Sequence, residues 1–280
     1  MELALGLDGG GTGCRAVLVG PDGTELGRGT GGPANIMSDR AGALASILGA
    51  ARQALDGRPE AAVAACLGLA GANISGARDW LAPLLPFGRA RVVHDAVTSV
   101  AGALGTGDGI VAAIGTGSVF SRQRGGEVVS IGGWGPVLGD EASGAWTGRR
   151  FLGLALRAVD GLEARSPLAE AVLADLGGPA GAVAFARGAS GADFAALVPR
   201  IVAAPDDPLA AAVLADGTAE IAAAIARLQE GADLPVVFTG GLGPVFAARL
   251  ARRWRQQPAQ GTALDGAVLL ARQLAREGEP

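Results

Sequence analysis

Hydrophobic positions recur along the chain with two different periods, and each change of period marks a new element. Leu3, Leu5 and Leu7 alternate with smaller residues, the spacing of a half-buried strand. CRAVLVG, from Cys14, repeats the habit after a glycine-rich break, Pro21-Asp22-Gly23 reads as a turn, and TELGRG follows as a third strand. Between Asp39 and Leu55 the period lengthens, and Ala43, Leu44, Ile47, Leu48, Ala51 and Leu55 form the stripe of an amphipathic helix. AAVAACLGLAG reads as a buried strand, GARDWLAPLL as a short helix, RARVVHD as a strand and AVTSVAGAL as a helix. The order βββαβαβα predicts a mixed sheet with helices on its faces.

The pattern then begins again. IVAAIGTGSVFSRQRGGEVVSIGG reads as strand, loop, strand, a turn at Gly125-Gly126, and strand. Gly11-Thr12-Gly13 recurs as Gly115-Thr116-Gly117, each inside a hairpin, and the shared context predicts an internal duplication. Helical stretches are expected over 141–160, 167–176, 193–203 and 208–229, followed by a strand and a glycine turn in LPVVFTGGLG, a helix, and a closing helix at 263–276. The boundary falls near Gly105–Gly109. One lobe would hold residues 1–106 and the other 107–262, with a C-terminal helix, about 263–280, packing back onto the first lobe.

Composition narrows the chemistry. Half the chain is apolar (49%) but only 4% is aromatic, so the core is expected to use small side chains at close approach. A net charge of −4 makes no case for nucleic acid or an anionic membrane as partner. All 23 basic residues are arginine, and a Walker-type loop, which needs a lysine on the phosphates, is excluded. Cys14 and Cys66 follow no metal or redox spacing and suggest no disulfide framework, as expected in the cytoplasm. No apolar run is read as a membrane span and no leader is read at the N-terminus, so a soluble intracellular protein is expected.

The glycine cluster at 9–13 is the first candidate site. A dinucleotide fingerprint would have to open a helix, whereas a hairpin follows here. Two such loops, rich in main-chain N–H groups and in the hydroxyls of Thr12 and Thr116, could instead clamp a polyphosphate. Each alone could equally be a tight turn. Asp8, at the mouth of the first loop, is placed to hold Mg²⁺ directly or through water. Asp95 follows a strand and opens a helix, and could be a helix cap or a reactive carboxylate. His94, the only histidine, precedes it. Strand alternation would turn the two side chains to opposite faces, against a dyad.

These stretches carry a resemblance. DGGGT between strands, GTGS after a strand and TGG before a late helix resemble the two phosphate motifs and the adenosine motif of the actin/hexokinase/Hsp70-type ATPase superfamily. GGGTGCRA, GGPANIM, VVHDAVTSVAGA, IGTGS, GGWGPVLGDEASGAW and FTGGLG, in that family's order, with SPLAEAVL in the helical region, resemble the bacterial glucosamine kinase and N-acetylglucosamine kinase group, within the benzoyl-CoA reductase ATPase-like family. The resemblance implies an α/β fold of two RNase H-like lobes, each a mixed five-stranded sheet flanked by helices, with a cleft between them. It implies ATP and Mg²⁺ as cofactors, a small amino sugar as substrate and a homodimer. It further implies Asp95 as catalytic base and Asp8, Gly10, Gly11, Thr12, Gly115, Thr116, Gly117, Gly240 and Gly241 at the nucleotide and its metal. Asn35, Gly133, Trp134 and Asp140 would line the sugar, with Trp134 shaping the pocket rather than stacking; a helix cap is the other reading of Asp140, and a helix-entry turn that of the Gly240 pair. Activator ATPases that bridge an iron–sulfur cluster with two second-lobe cysteines, and non-catalytic actin-like nucleotide-binding proteins, are the rivals. One histidine and two distant cysteines cannot build the zinc cluster of related sugar kinases.

Overall fold

The computed structural model describes residues 3–37, 39–72 and 76–277. The chain forms β1 (Leu3–Gly9), β2 (Cys14–Val19), β3 (Glu25–Gly31), α1 (Arg40–Leu55), β4 (Val63–Leu69), α2 (Ala77–Leu81), β5 (Arg89–His94) and α3 (Asp95–Leu104). It restarts with β6 (Gly109–Ile114), β7 (Ser118–Arg124) and β8 (Glu127–Gly132). Next come α4 (Gly144–Val159), α5 (Pro167–Asp175), α6 (Gly178–Gly188), α7 (Gly191–Ala195), α8 (Val198–Val202) and α9 (Pro208–Gln229). β9 (Val236–Thr239), α10 (Gly243–Arg249) and α11 (Ala263–Arg276) complete it. Two compact units result: Met1–Asp108 with Gln123–Val128 and Pro258–Pro280, and Gly109–Arg122 with Val129–Gln257.

In the first unit the sheet order is β3-β2-β1-β4-β5, with β1, β4 and β5 parallel and β2 and β3 antiparallel. Alternation along the strands sorts the core. Leu5, Leu7, Leu18 and Leu67 join Ile47 and Leu55 of α1 on one face, while Ala4, Val17, Val19 and Cys66 meet Leu264 and Ala271 of α11 on the other. The α11 face is built on small residues. A Cβ on Gly6 would strike the Val268 backbone, and Gly102 of α3 and Gly266 of α11 lie against each other's helices with no room for a side chain.

The second unit repeats the hairpin start. Its order is β8-β7-β6-β9, with β6 and β9 parallel, over a core that includes Ile114, Phe151, Leu214, Ile225 and Phe246. Four strands stand where five were expected. The place of the fifth is held by the segment after α10, reduced to one parallel bridge between Val236 and Gln256. Pro258 follows two residues on and has no N–H with which to extend the pairing.

Other departures have local causes. The helix expected from Glu141 begins at Gly144, because Asp140 (φ 57°) and Ala142 (φ 64°) are left-handed, and Ser143 caps it by accepting from Trp146 N at 3.1 Å. The helix expected over 193–203 is two, α7 and α8, since Pro199 cannot donate to Ala195 four residues back. α6, unforeseen, buries only Ala182 and so leaves no apolar period to read. The reading that no run could span a membrane also needs correcting: among the described residues α9 is long and apolar enough by length and composition. Here its Leu209, Val213, Leu214, Ile221, Ile225 and Leu228 are core residues of the second unit.

Asp207 starts α9 and also binds the preceding segment. Its carboxylate accepts from Leu209 N and Ala210 N at 3.1 Å, from Leu168 N at 3.1 Å and from Ser166 Oγ at 2.7 and 2.8 Å. Partial burial pushes its pKa up, but the bonds from Ser166, Ala210, Leu168 and Leu209 outweigh it and hold the group below its ordinary value. A depressed carboxylate stabilises the fold above its unfolded pKa and loses that contribution as pH falls through the folded value. Asp207→Ala is therefore expected to cost about 1–2 kcal/mol at neutral pH. In denaturant unfolding the gap to wild type should narrow below about pH 4; a pH-independent gap would contradict this account.

Candidate active site

The parallel strands of the first unit end in one row. Gly9 of β1 is in register with Leu69 of β4, and Leu69 with His94 of β5. At the usual strand spacing, Gly9 and His94 are about 10 Å apart across this edge. Ligands of open α/β sheets bind outside such carboxyl ends. The loop 10–13, Asn35 and Asp95 all belong to this edge, because Gly9 O accepts from Ala70 N (2.9 Å), Gly10 O from Ala34 N (2.8 Å) and Ala70 O from Ile36 N (3.3 Å).

Those bonds decide where the loop's amides face. In a trans peptide the C=O and the following N–H point in opposite directions. With Gly10 O turned inward to Ala34, the Gly11 N–H is turned outward, and neither it nor Thr12 N–H has a partner among the described residues. Gly10 N closes the turn onto Gly13 O at 3.0 Å. The second unit repeats the device with one residue fewer: Gly115 N donates to Gly117 O at 2.9 Å. There the first amides of α4 do the fixing, Gly144 N to Gly115 O (2.8 Å) and Ala145 N to Thr116 O (3.0 Å), so Thr116 N–H and Gly117 N–H face outward. Each hairpin thus presents two neighbouring N–H groups with no partner among the described residues, the arrangement that anion-binding nests use.

A Cβ added to Gly10 or Gly11 would meet no atom within 4 Å, and one on Gly115 only Gly117 O at 4.0 Å. None of the three has positive φ. Neither packing nor backbone conformation requires glycine there; the clear space is what a ligand would use. Gly240 differs. It sits at φ 81°, with its missing Cβ against Ile114 O and 3.0 Å from Gly115 N, so close approach to the second hairpin alone accounts for it. Gly241 is open and exposed.

Asp8 is paired. Arg15, directly opposite in the β1–β2 register, donates from Nη2 to Asp8 Oδ2 at 2.9 Å. Sequence reading passed over Arg15, although an arginine one strand-step past the loop in a lysine-free chain was the available signal. Asn35 Oδ1 accepts from Met37 N at 2.9 Å, which holds the side chain while Nδ2 has no partner among the described residues. Asp95 does not cap α3: its carboxylate bonds no amide of the first turn. Among the described residues its one contact partner is His94, with Nε2 3.0 Å from Oδ1, so the expected separation of the two side chains is wrong. Alternation stops where β5 ends, and Asp95 already belongs to α3.

In the second unit Asp140 is buried, 7% exposed, and faces the main chain. Oδ1 accepts from Gly135 N at 3.0 Å, the Ser118 amide also donates to the carboxylate, and a Cβ on Gly117 would lie 2.8 Å from Oδ2. Asp140 therefore fastens the 133–140 loop to the second hairpin. Burial pushes its pKa up; the Gly135 bond opposes this, Glu141 reinforces it and the Ser118 bond opposes it. Gly133 N–H has no partner among the described residues and Trp134 is 75% exposed.

No cluster of three or more His, Cys, Asp or Glu able to hold a metal occurs among the described residues. Mg²⁺ usually binds through one or two carboxylates plus phosphate oxygens and waters, and the Asp8 carboxylate fits that donor set. Neither thiol is placed for ligation. Cys14 is buried, with Sγ 3.5 Å from Ser46 O, and its pKa is raised by burial first; burial pushes Cys66 up to about 12.

A profile of the BadF/BadG/BcrA/BcrD ATPase family matches residues 5–249. Glucosamine kinase GspK of Vibrio cholerae is 29% identical over 97% of this chain and 96% of its own. A crystal structure assigned as an N-acetylglucosamine kinase, from Chromobacterium violaceum, superposes with a TM-score of 0.83 at 36% identity, covering 97% of this chain and 99% of that one. A ROK family glucokinase from Streptomyces griseus, in complex with glucose and AMPPNP, gives a TM-score of 0.60 at 20% identity over 99% and 100% of the two chains, a likeness of fold. The fold is that of the actin-like ATPase kinases.

The contrast between glycines is testable. Gly11→Ala should leave unfolding unchanged or raise stability by about 0.4–1 kcal/mol, while weakening nucleotide binding in calorimetry. Gly240→Ala should lower stability by more than about 1 kcal/mol. A destabilised Gly11→Ala with normal nucleotide affinity would contradict the reading of the open loop.

Proposed function

The chain belongs to the BadF/BadG/BcrA/BcrD ATPase family, and we propose that it is an ATP-dependent hexosamine kinase transferring the γ-phosphoryl group to the 6-hydroxyl of glucosamine. Full-length similarity to a glucosamine kinase supports the substrate class. Similarity at 36% identity to a protein assigned as an N-acetylglucosamine kinase makes that sugar the alternative acceptor. The observation that carries the reaction is Asp95: a carboxylate at the carboxyl edge of β5, with Oδ1 beside His94 and no partner for Oδ2 among the described residues, on the same edge as the Gly11 and Thr12 amides.

In this reading the sugar lies against Asn35, whose Nδ2 donates to a hydroxyl, and Gly133 N–H contributes a second donor. Asp95 Oδ2 accepts the proton of the attacking hydroxyl as the new O–P bond forms and the bond to the β-phosphate oxygen breaks, releasing ADP. The outward amides of Gly11, Thr12, Thr116 and Gly117 hold phosphate oxygens, and Gly240 and Gly241 let the adenosine lie against backbone. Mg²⁺, held by Asp8 directly or through water, supplies neutralisation of phosphate charge. Trp134 borders the sugar pocket, and Asp140 acts on the sugar through the position it gives the 133–140 loop. The same reading places the enzyme in the cytoplasm as a homodimer.

ADP release against glucosamine, N-acetylglucosamine, N-acetylmuramic acid derivatives and glucose tests the proposal. Turnover should be low without sugar and rise sharply with one hexosamine; hydrolysis indifferent to every sugar would overturn it. Asp95→Asn should lower kcat by about 10²-fold or more with ATP affinity retained.

A further inference from the structure

Among the described residues the only side chain within ion-pairing distance of the Asp95 carboxylate is the single imidazole in the chain. His94 Nε2 lies 3.0 Å from Asp95 Oδ1. At that distance the ring nitrogen is within reach to serve as a donor to the carboxylate. The imidazole side chain is 24% exposed and the carboxylate 39%, so the pair lies at the surface of the edge described above rather than in the core.

This contact does something that Asp95 alone would not. A carboxylate in the first turn of a helix is drawn to the free amides of that turn and to the positive end of the helix dipole. In α3 the Asp95 side chain makes no such bond. The turn is tied elsewhere, by Thr98 Oγ1 donating to Asp95 O at 2.9 Å, and the carboxylate is held by His94 instead. With Oδ1 anchored, the side chain keeps one rotamer and Oδ2 stays free to meet a hydroxyl. An imidazole has the length for this from the last position of β5, and it holds its donor on a rigid ring.

From this geometry we propose that His94 is a positioning residue for Asp95, withdrawing the carboxylate from helix capping and aiming Oδ2 at the acceptor hydroxyl. The inference rests on the reading of Asp95 as the base. His94 contacts neither sugar nor nucleotide in this account, so its removal acts on kcat and leaves both substrates' binding in place.

Steady-state kinetics of four variants separate the possibilities. His94→Ala should lower kcat about 10–100-fold, the range found when a partner that orients a reactive group is lost. Its KM for ATP and for the sugar should stay within about 3-fold of wild type, because ground-state binding is untouched. His94→Gln places an amide N–H near the Nε2 position and should recover most of the lost kcat. In an Asp95→Asn background, adding His94→Ala should cost nothing further, since its effect passes only through the carboxylate. A wild-type kcat for His94→Ala, equal losses in the Ala and Gln variants, or an undiminished His94 effect in the Asp95→Asn background would overturn the proposal. Near-normal turnover of Asp95→Asn alone would instead remove the base itself, a distinct failure that falls on the function rather than on His94. Thermal unfolding of each variant excludes loss through misfolding, and should His94→Ala fail to fold, His94→Gln against the Asp95→Asn background decides the matter.

Discussion

The site rests on the rigidity of the peptide unit. Because C=O and N–H of one trans peptide point opposite ways, a loop that buries its carbonyls must offer its amides. Gly10 O bonds Ala34 N, and Gly115 O and Thr116 O bond the first amides of α4. Nothing else is needed to turn the Gly11, Thr116 and Gly117 N–H groups away from those partners, the orientation that anion-binding nests use, while Thr12 N–H simply has no partner among the described residues. Glycine serves here by keeping space clear above those amides, not by allowing an unusual φ. The two hairpins reach the same result with different partners, a loop in the first unit and a helix N-terminus in the second.

The first unit's edge stays in place because the layers behind it are close. Gly6 lets α11 lie on β1, and Gly102 and Gly266 let α3 and α11 touch backbone to backbone. Close-packed interiors transmit displacement, so the position of Asp95 at the start of α3 depends on that helix contact. A core poor in aromatics is thereby not a loose one. It exchanges side-chain volume for proximity, and proximity fixes the helix whose first residue is the candidate base.

Much of this was readable in the sequence. Strand alternation, the two glycine hairpins and the helical period of residues 39–55 announced the elements, because period and turn chemistry are local properties. What escaped depends on register or on a change of conformation between neighbours. Arg15 meets Asp8 only through the cross-strand pairing of β1 and β2. His94 meets Asp95 because the strand ends between them, which no alternation rule foresees. Asp140 turns inward because its φ is 57°, a value rarely assumed for a residue other than glycine. The missing fifth strand follows from a proline beyond a short segment, where the count of strands was taken from the family resemblance.

Charge completes the picture. A polyphosphate site usually recruits lysine, and this chain has none. An unpaired Asp8 at the mouth of the first hairpin would repel phosphate oxygens just where the amides attract them. Arg15 cancels that charge from the facing strand, and it is 60% exposed, so solvent keeps the pair weak and exchangeable. A buried pair would have locked Asp8 away. With Arg15 largely in solvent and Asp8 19% exposed, the pair is one that an incoming cation could compete for.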